Sequence, residues 1–120
     1  MTDPSADPRR LLPLPSHDFQ VLLSLADAPR HAYGMAKAVA GQSSGVRLEI
    51  GSLYRILARL TGDGLIEDFL PSSDAEGHEA RRRYYRLTPF GRRVARAEAA
   101  RLQEVVEAAR RQKLLPSRSR

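Results

Sequence analysis

The chain contains no cysteine and no tryptophan. Without cysteine it can form neither a disulfide nor a thiolate metal site, which fits a reducing compartment. No apolar run approaches the ~18 residues that a membrane span requires. Residues 1–15 include Asp3 and Asp7 and no apolar stretch, so we expect no secretory signal there. We therefore expect a cytoplasmic protein with no membrane partner, and residues 1–15 are interpreted as a mostly disordered arm.

Residues able to carry metal or acid–base chemistry are scattered along the chain. His17, His31 and His78 lie in three different segments, and none has a second histidine at ligand spacing. Glu67 and Asp68 are neighbours on a predicted strand, so they point to opposite faces and do not form an acid/base pair. A glycine-rich phosphate loop and a nucleophile motif are also lacking. We expect no catalytic residues, no metal, no cofactor and no enzymatic activity.

Positive charge is concentrated at the C-terminal end. The net charge is +6 at pH 7, from 20 Lys and Arg residues against 14 Asp and Glu residues. Residues 81–120 hold twelve arginines and one lysine against three glutamates, a net charge of +10, whereas residues 1–80 carry −4. A one-sided excess favours a polyanionic partner. The alternative is a solvated surface in an arginine-rich proteome, since arginine outnumbers lysine 18 to 2.

Two amphipathic helices are predicted in the first third of the chain. Ser16 is a suitable N-cap, and apolar residues follow at helical spacing until Pro29, which predicts a helix over residues 16–28. The same spacing of small and apolar residues predicts a second helix over residues 31–40, with Gly41 at its end.

A third helix is predicted over residues 50–61. Its buried stripe consists of Leu53, Ile56, Leu57 and Leu60. The opposite face, which no carboxylate interrupts, consists of Gly51, Ser52, Tyr54, Arg55, Ala58 and Arg59. A solvated helix face usually mixes both charge signs. This face instead suits close approach to a DNA groove, with Arg55 and Arg59 available for base edges or phosphates.

The segment 81–91 joins a basic strand to a helix start. Three arginines lead into an alternating aromatic strand over residues 81–87, and Thr88-Pro89 follows as a helix N-cap and first turn. Residues 65–69 supply the partner strand and residues 71–80 the connecting loop, so a two-stranded β-wing is predicted. A basic ribbon of this kind fits a phosphate backbone.

The last helix is predicted to run from Thr88 to about Leu114, roughly 40 Å at 1.5 Å per residue. Small and apolar residues alternate at spacings of four and three, forming a short heptad seam of Ala95, Ala99, Leu102, Val106 and Ala109. The stripe either folds back on its own domain or contacts a second copy. We favour a dimer contact, because the stripe continues beyond the point where a three-helix unit can bury it.

These elements follow the order of a winged helix-turn-helix. The predicted fold class is mainly α with a two-stranded β-wing and a long C-terminal dimerisation helix. We expect residues 1–15 to form the arm, which is disordered or joins the interface, and residues 16–87 to form a DNA-binding domain. We expect residues 88–115 to form the dimerisation helix and residues 116–120 to form a basic tail.

Two sequence blocks are specific when they occur together at this separation, whereas either alone would be a weak signal. They are Gly-Ser-Leu-Tyr-Arg at residues 51–55 and Arg-Tyr-Tyr-Arg-Leu-Thr at residues 83–88. Shorter matches accompany them at residues 21–26, 29–34 and 63–67. On these blocks the chain resembles the PadR family of bacterial transcriptional regulators. It departs from the usual family pattern at Ala32, where glycine is common, and at Ile50 and Ser52, where proline and threonine are common.

The resemblance implies a cytoplasmic homodimer that binds a palindromic operator in double-stranded DNA and usually represses transcription. It implies that the third helix enters the major groove, while the wing and second helix contact the backbone. The residues at matching positions are Tyr33, Lys37, Ser52, Tyr54, Arg55, Arg59, Arg82 and Arg83. A small-molecule inducer of unknown identity is a further candidate partner.

Two other functions stay open. A winged-helix protein–protein adaptor without specific DNA binding is the main alternative, because fold does not determine function. An adaptor would more often expose apolar residues on the third helix, where this chain has a basic face. A sensor of hydrophobic small molecules has no support in the sequence, since no tryptophan is present to build a stacking platform.

Overall fold

The structure is a computed structural model that describes residues 6–42, 47–71 and 82–117. The predicted wing loop and the end of the predicted basic tail lie largely outside these ranges. The elements are a short 3-10 helix (Pro8–Leu11), helices α1 (Ser16–Ser24), α2 (Ala32–Gln42), α3 (Ile50–Gly62) and α4 (Pro89–Arg111), and strands β1 (Arg30–His31), β2 (Ile66–Phe69) and β3 (Tyr84–Leu87). The predicted fold class, a winged helix-turn-helix with a long C-terminal helix, is confirmed.

The core lies where the helices meet the small sheet. Helix α3 turns its predicted stripe inward, and all four of its residues are buried. They pack with apolar side chains from every other helix and from the sheet, including Val21, Leu22, Met35, Ile66, Tyr85 and Val94. Burial of this one face leaves the opposite face of α3 on the surface.

Helix α1 ends four residues before the predicted end at residue 28. Ser24 Oγ donates to the Val21 carbonyl oxygen over 2.6 Å, and Arg30 Nε donates to the Ser24 carbonyl oxygen over 2.7 Å. In a longer helix these two carbonyl groups would accept from the backbone N–H groups of residues 25 and 28. Because side chains donate to these two carbonyl oxygens in place of backbone N–H groups, the helix ends at Ser24.

Smaller corrections apply to other helix ends. The residue before α1 is Pro15, and Ser16 is the first helical residue rather than the cap. Helix α2 begins at Ala32 and continues through Gly41 to Gln42, where the Gln42 side chain donates to the Gln20 carbonyl oxygen over 3.0 Å. That bond secures the end of α2 against α1.

The sheet has three strands rather than the two predicted, in the antiparallel order β1-β3-β2. Strand β1 places Arg30 opposite Tyr85 and His31 opposite Tyr84. A strand of two residues carries no period-2 pattern, so the sequence could not predict it. Its pairing joins the start of α2 directly to the wing.

Strand β3 begins at Tyr84, three residues later than predicted. Its pairing with β2 runs from Leu87 opposite Ile66 to Tyr84 opposite Phe69. Strand β2 ends at Phe69, shortly before Pro71, which cannot donate to a ladder. Arg82 and Arg83, which directly precede Tyr84, are therefore not part of the strand.

Residues 6–15 pack against α4, so the expectation of a disordered arm does not hold for them. The Leu14 backbone N–H donates to Glu98 Oε2 over 3.0 Å. Four apolar side chains of the arm pack on the core, namely Ala6, Leu11, Leu12 and Leu14. The arm therefore belongs to the folded domain.

The junction between β3 and α4 is held by backbone groups in close contact. The Gly91 N–H donates to Thr88 Oγ1 over 2.9 Å, which confirms Thr88 as the N-cap with Pro89 at the first turn. Thr88 Oγ1 also donates to the Gly64 carbonyl oxygen over 2.6 Å. A Cβ on Gly91 would lie 1.8 Å from the Leu65 carbonyl oxygen. Only glycine permits this approach, so α4 starts in a defined position on the domain.

Helix α4 ends at Arg111, three residues before its predicted end. Lys113 adopts φ of 64°, in the left-handed region. Its N–H donates to the Arg110 carbonyl oxygen, and the Leu114 N–H donates to the Ala109 carbonyl oxygen, each over 2.9 Å. This pattern is a Schellman motif, which closes the helix without a glycine.

Within the described parts of the chain, no helix is both long enough and apolar enough to cross a lipid bilayer.

Candidate nucleic-acid interface

The outer face of α3 combines small, hydroxyl and cationic side chains. Gly51 and Ala58 are exposed, and a Cβ at Gly51 would meet no atom within 4 Å. Arg55 Nη2 donates to Ser52 Oγ over 3.0 Å, one turn away. Because a guanidinium has five N–H donors, this bond orients Arg55 and leaves donors for a ligand. The face can thus approach another surface closely and present an oriented cation to it.

Arg59 has a partner that the sequence did not reveal. Its Nη2 donates to Asp18 Oδ1 over 2.6 Å and its Nε donates to Asp18 Oδ2 over 3.1 Å. Asp18 is buried on α1, and its carboxylate raises the pKa of Arg59 through these bonds and its charge. The guanidinium charge of Arg59 is therefore balanced within the domain.

Arg82 is held at the start of α2. Its Nη1 lies 3.1 Å from His31 Nε2, and its guanidinium carbon lies 6.0 Å from the centre of the Tyr33 ring. His31 Nδ1 also accepts from the Gly34 N–H over 3.1 Å, inside the first turn of α2. The pairing of β1 with β3 brings these groups together across about fifty residues of sequence.

A cavity of about 230 Å³ lies between the start of α2, α3 and the wing. It is lined by His31, Ala32, Tyr33, Tyr54, Arg82, Arg83 and Tyr85. Four of these residues were predicted DNA contacts from three separate segments. Two guanidinium groups among phenol rings make an environment that suits an anion such as a phosphate.

Tyr85 and Tyr54 occupy this cavity differently. Tyr85 is buried, and burial raises the pKa of its phenol. Tyr54 is 51% exposed and projects beside the wing. Tyr54 thus presents its ring and hydroxyl to the surface, whereas Tyr85 mainly supports the sheet.

Ion pairs across the wing balance part of its positive charge. Arg86 Nε donates to Glu67 Oε1 over 2.9 Å, from residues that face each other in the ladder. Arg83 Nη1 pairs with Asp68 Oδ2 on the same neighbouring strand. Residue spacing alone could not show these pairs, because they depend on strand register. The charge of the arginine segment is therefore lower than its composition indicates.

Lys37 lies one turn beyond Tyr33 on α2 and is exposed. It extends the same side of α2 that borders the cavity. The predicted contacts thus occupy three places: the outer face of α3, the cavity at the wing with adjoining α2, and the Asp18 site at the other edge of α3.

The predicted seam on α4 has mixed surroundings. Ala95 packs against the core of its own domain, whereas Ala99 and Val106 are exposed and Leu102 and Ala109 are half-buried. The buried residues of α4 end at Glu98. The half of the helix after Glu98 therefore has no buried position within one chain.

Among the described residues, no group of three or more His, Cys, Asp or Glu side chains is placed to hold a metal ion.

The helix-turn-helix of α2 and α3, the three-stranded wing and the long α4 define a winged-helix protein. The chain belongs to the PadR-like family of transcriptional regulators, whose family model matches residues 21–97. This match covers more than half of the chain and includes α3, the wing and the first turns of α4.

Two solved structures share this architecture, and one further protein is similar in sequence. A PadR family transcription regulator from Clostridium difficile R20291 is 23% identical with a TM-score of 0.69, over 78% of this chain and 94% of that chain. A PadR family transcriptional regulator from Eggerthella lenta DSM 2243 is 27% identical with a TM-score of 0.62, over 92% of this chain and 87% of that chain. An uncharacterized 37.1 kDa protein in transposon TN4556 of Streptomyces fradiae is 40% identical over 79 residues, or 66% of this chain. The chain spans 21% of the length of that relative.

Proposed function

We propose that the protein is a sequence-specific DNA-binding transcriptional regulator that acts as a homodimer, most simply as a repressor on a palindromic operator. The observation that carries this proposal is the outer face of α3. There Arg55 is oriented by Ser52 between small residues, and the described part of this face has no acidic side chain after Glu49.

Helix α3 is the element that fits the major groove. A groove about 12 Å wide admits an α-helix, and a small residue at Gly51 or Ala58 lets the helix backbone approach the bases. Arg55 can then donate two N–H groups to the O6 and N7 atoms of a guanine, which is the commonest specific contact. The bond to Ser52 limits the rotamers of Arg55 before DNA binds, so less side-chain entropy is lost on binding.

The cavity at the wing is suited to a backbone phosphate beside the groove. Arg82 supplies charge, Arg83 adds a guanidinium that also pairs with Asp68, and Tyr33 and Tyr54 add phenol groups to its lining. Lys37 lies one turn along α2 and would contact the neighbouring phosphate. Such contacts set the orientation of a protein on the duplex without reading its sequence. The proposed roles thus separate reading by α3 from anchoring by α2 and the wing.

Dimerisation is supported by α4. Its distal half exposes Val105 and Val106 and continues the seam past Glu98, where the domain can no longer cover it. Two copies joined along this stretch would carry two α3 helices. Half-sites about one helical turn apart, ~34–36 Å, are then expected in the operator.

Footprinting of the DNA upstream of the protein's own gene tests this proposal. We expect a protected palindrome whose half-sites are one turn apart, with the operator outcompeting scrambled DNA of the same composition. Binding that is equally strong on every duplex and falls steeply with salt would contradict specific recognition. Tight binding to a protein partner with no retention of duplex DNA would favour the adaptor alternative.

A further inference from the structure

Asp18 and Arg59 form a two-point ion pair between the first turn of α1 and the C-terminal half of α3. Both carboxylate oxygens accept, over 2.6 and 3.1 Å. The Asp18 side chain is 4% exposed, whereas that of Arg59 is 50% exposed. A buried carboxylate requires a partner of this kind, and the planar guanidinium fits both oxygens at once.

The pair lies at one edge of the DNA-facing side of α3. The wing borders the opposite edge, where Tyr54 and Thr61 share a cleft with Asp68. Arg55, one turn before Arg59, is oriented instead by the uncharged Ser52 hydroxyl. The two arginines of α3 therefore differ in net charge: Arg59 belongs to a neutral pair, and the contact made by Arg55 leaves its charge intact.

We propose that Asp18 is a positioning residue for DNA recognition. It holds Arg59 against α1, so that α3 is braced on the side away from the wing. It also makes Arg55 the arginine of α3 whose charge is directed to DNA. A neutral Asp18–Arg59 pair releases no counterion from DNA, which limits sequence-blind affinity. This inference rests on the proposed function, because it assigns a role within the same recognition surface.

Asp18→Asn tests the inference by removing the negative charge at nearly constant volume. Arg59 then becomes an unneutralised cation beside the duplex. We expect tighter binding to scrambled DNA, a smaller ratio of operator to scrambled affinity, and a slope of log K against log salt that is steeper by about one. A purely structural role would lower the melting temperature without steepening this slope.

Two variants serve as matched controls. Arg59→Gln should keep the wild-type salt slope, because Arg59 contributes no phosphate contact in the wild-type protein. The double variant Asp18→Asn/Arg59→Gln should return to the wild-type slope, since no free charge remains. Circular dichroism melting of all three variants shows that each is folded at the assay temperature.

An unchanged slope in Asp18→Asn, or a slope flattened by about one in Arg59→Gln, would overturn the inference while leaving the proposed function intact. Wild-type protein without sequence preference would instead reject the proposed function. If the wild-type protein shows no sequence preference, elution from heparin still tests whether Asp18 neutralises the charge of Arg59. Asp18→Asn should elute at higher salt than wild type, with the double variant at the wild-type position, and equal elution of Asp18→Asn would refute the inference.

Discussion

At the scale of single residues, the arginines divide according to the groups they contact. Arg59, Arg86 and Arg101 donate to carboxylates, which are those of Asp18, Glu67 and Glu98. Arg55 donates to a hydroxyl group instead. The number of arginines therefore overstates the charge that a polyanion can reach, and neighbouring side chains decide which cations are available.

The first prediction distinguishes recognition of bases by Arg55 from binding of backbone phosphates by Arg82. Arg55→Ala should reduce the preference for operator over scrambled DNA by about 1–3 kcal/mol, because a two-point contact to guanine is lost. Arg82→Ala should weaken binding to both duplexes equally and flatten the salt slope by about one unit. Titration of both duplexes at several salt concentrations measures both effects. Identical behaviour of the two variants would show that this division of roles is wrong.

The second prediction concerns Gly91. Gly91→Ala places a Cβ against the Leu65 carbonyl oxygen, and backbone cannot move aside as a flexible side chain can. We expect the free energy of unfolding to fall by about 3 kcal/mol or more, measured by urea denaturation at fixed protomer concentration. Gly62→Ala is the matched control, because a Cβ there meets nothing within 4 Å. It should be neutral or stabilising by roughly 0.5–1 kcal/mol, and equal losses in both variants would refute the proposed clash.

At the scale of elements, the N-terminal arm and α4 are joined by a buried carboxylate. Glu98 is 1% exposed and accepts from the Leu14 N–H over 3.0 Å and from Arg101 Nε over 2.6 Å. The Arg101 guanidinium, and next the Leu14 N–H, hold the pKa of Glu98 below its ordinary value, against the opposing effect of burial. The arm and helix therefore depend on the ionised form of Glu98.

The third prediction follows from the direction of this pKa. Because the folded-state pKa is lowered, Glu98 stabilises the fold fully above its unfolded-state pKa of about 4.3 and loses that contribution as pH falls through the folded-state value. Glu98→Gln should lower the free energy of unfolding near pH 7 by about 1–3 kcal/mol and reduce its decline below pH 4.3. Urea titrations from pH 7 to pH 3 measure both.

Glu104→Gln is the control for this prediction, because Glu104 is exposed on the same helix. It should leave stability and its pH dependence close to those of the wild type. A loss of stability in Glu104→Gln as large as that in Glu98→Gln would show that helix charge, rather than the Leu14 contact, causes the effect.

At the scale of the whole molecule, two faces of α4 have different surroundings. Phe90, Val94 and Glu98 turn into their own domain, at spacings of four residues. The seam from Ala99 to Ala109 lies on an adjacent face and has no buried residue. One face thus fixes the direction of α4, and the other is the proposed contact with a second copy.

The fourth prediction tests that contact. Leu102→Asp places a charge on the seam, where a second apolar helix would have to desolvate it. Light scattering should then show a monomer, and operator binding should weaken strongly because two half-sites are no longer joined. Ala100→Asp, on an exposed position outside the seam, should remain dimeric. A dimer unaffected by Leu102→Asp would place the interface elsewhere.

Patterns formed by residues close together in the sequence were sufficient to predict the main helices and strands. The 3.6-residue period of Leu53, Ile56, Leu57 and Leu60 predicted α3 within one residue of its observed end, and Thr88-Pro89 predicted the start of α4. The third strand and the early end of α1 were missed. Both depend on Arg30, which pairs with a distant strand and also bonds the Ser24 carbonyl.

Local sequence patterns were enough to predict the order of helices, the inward stripe of α3 and the basic character of its outer face, because residues within a few positions of one another set these features. Which charges are balanced depends instead on the three-dimensional fold. Asp18 lies 41 residues from Arg59, and Leu14 lies 84 residues from Glu98. Periodicity describes which face of an element is buried, but it carries no information on which distant side chain meets that face. Chain topology and strand register make that choice, and through it they determine how much of the positive charge remains to be offered to DNA.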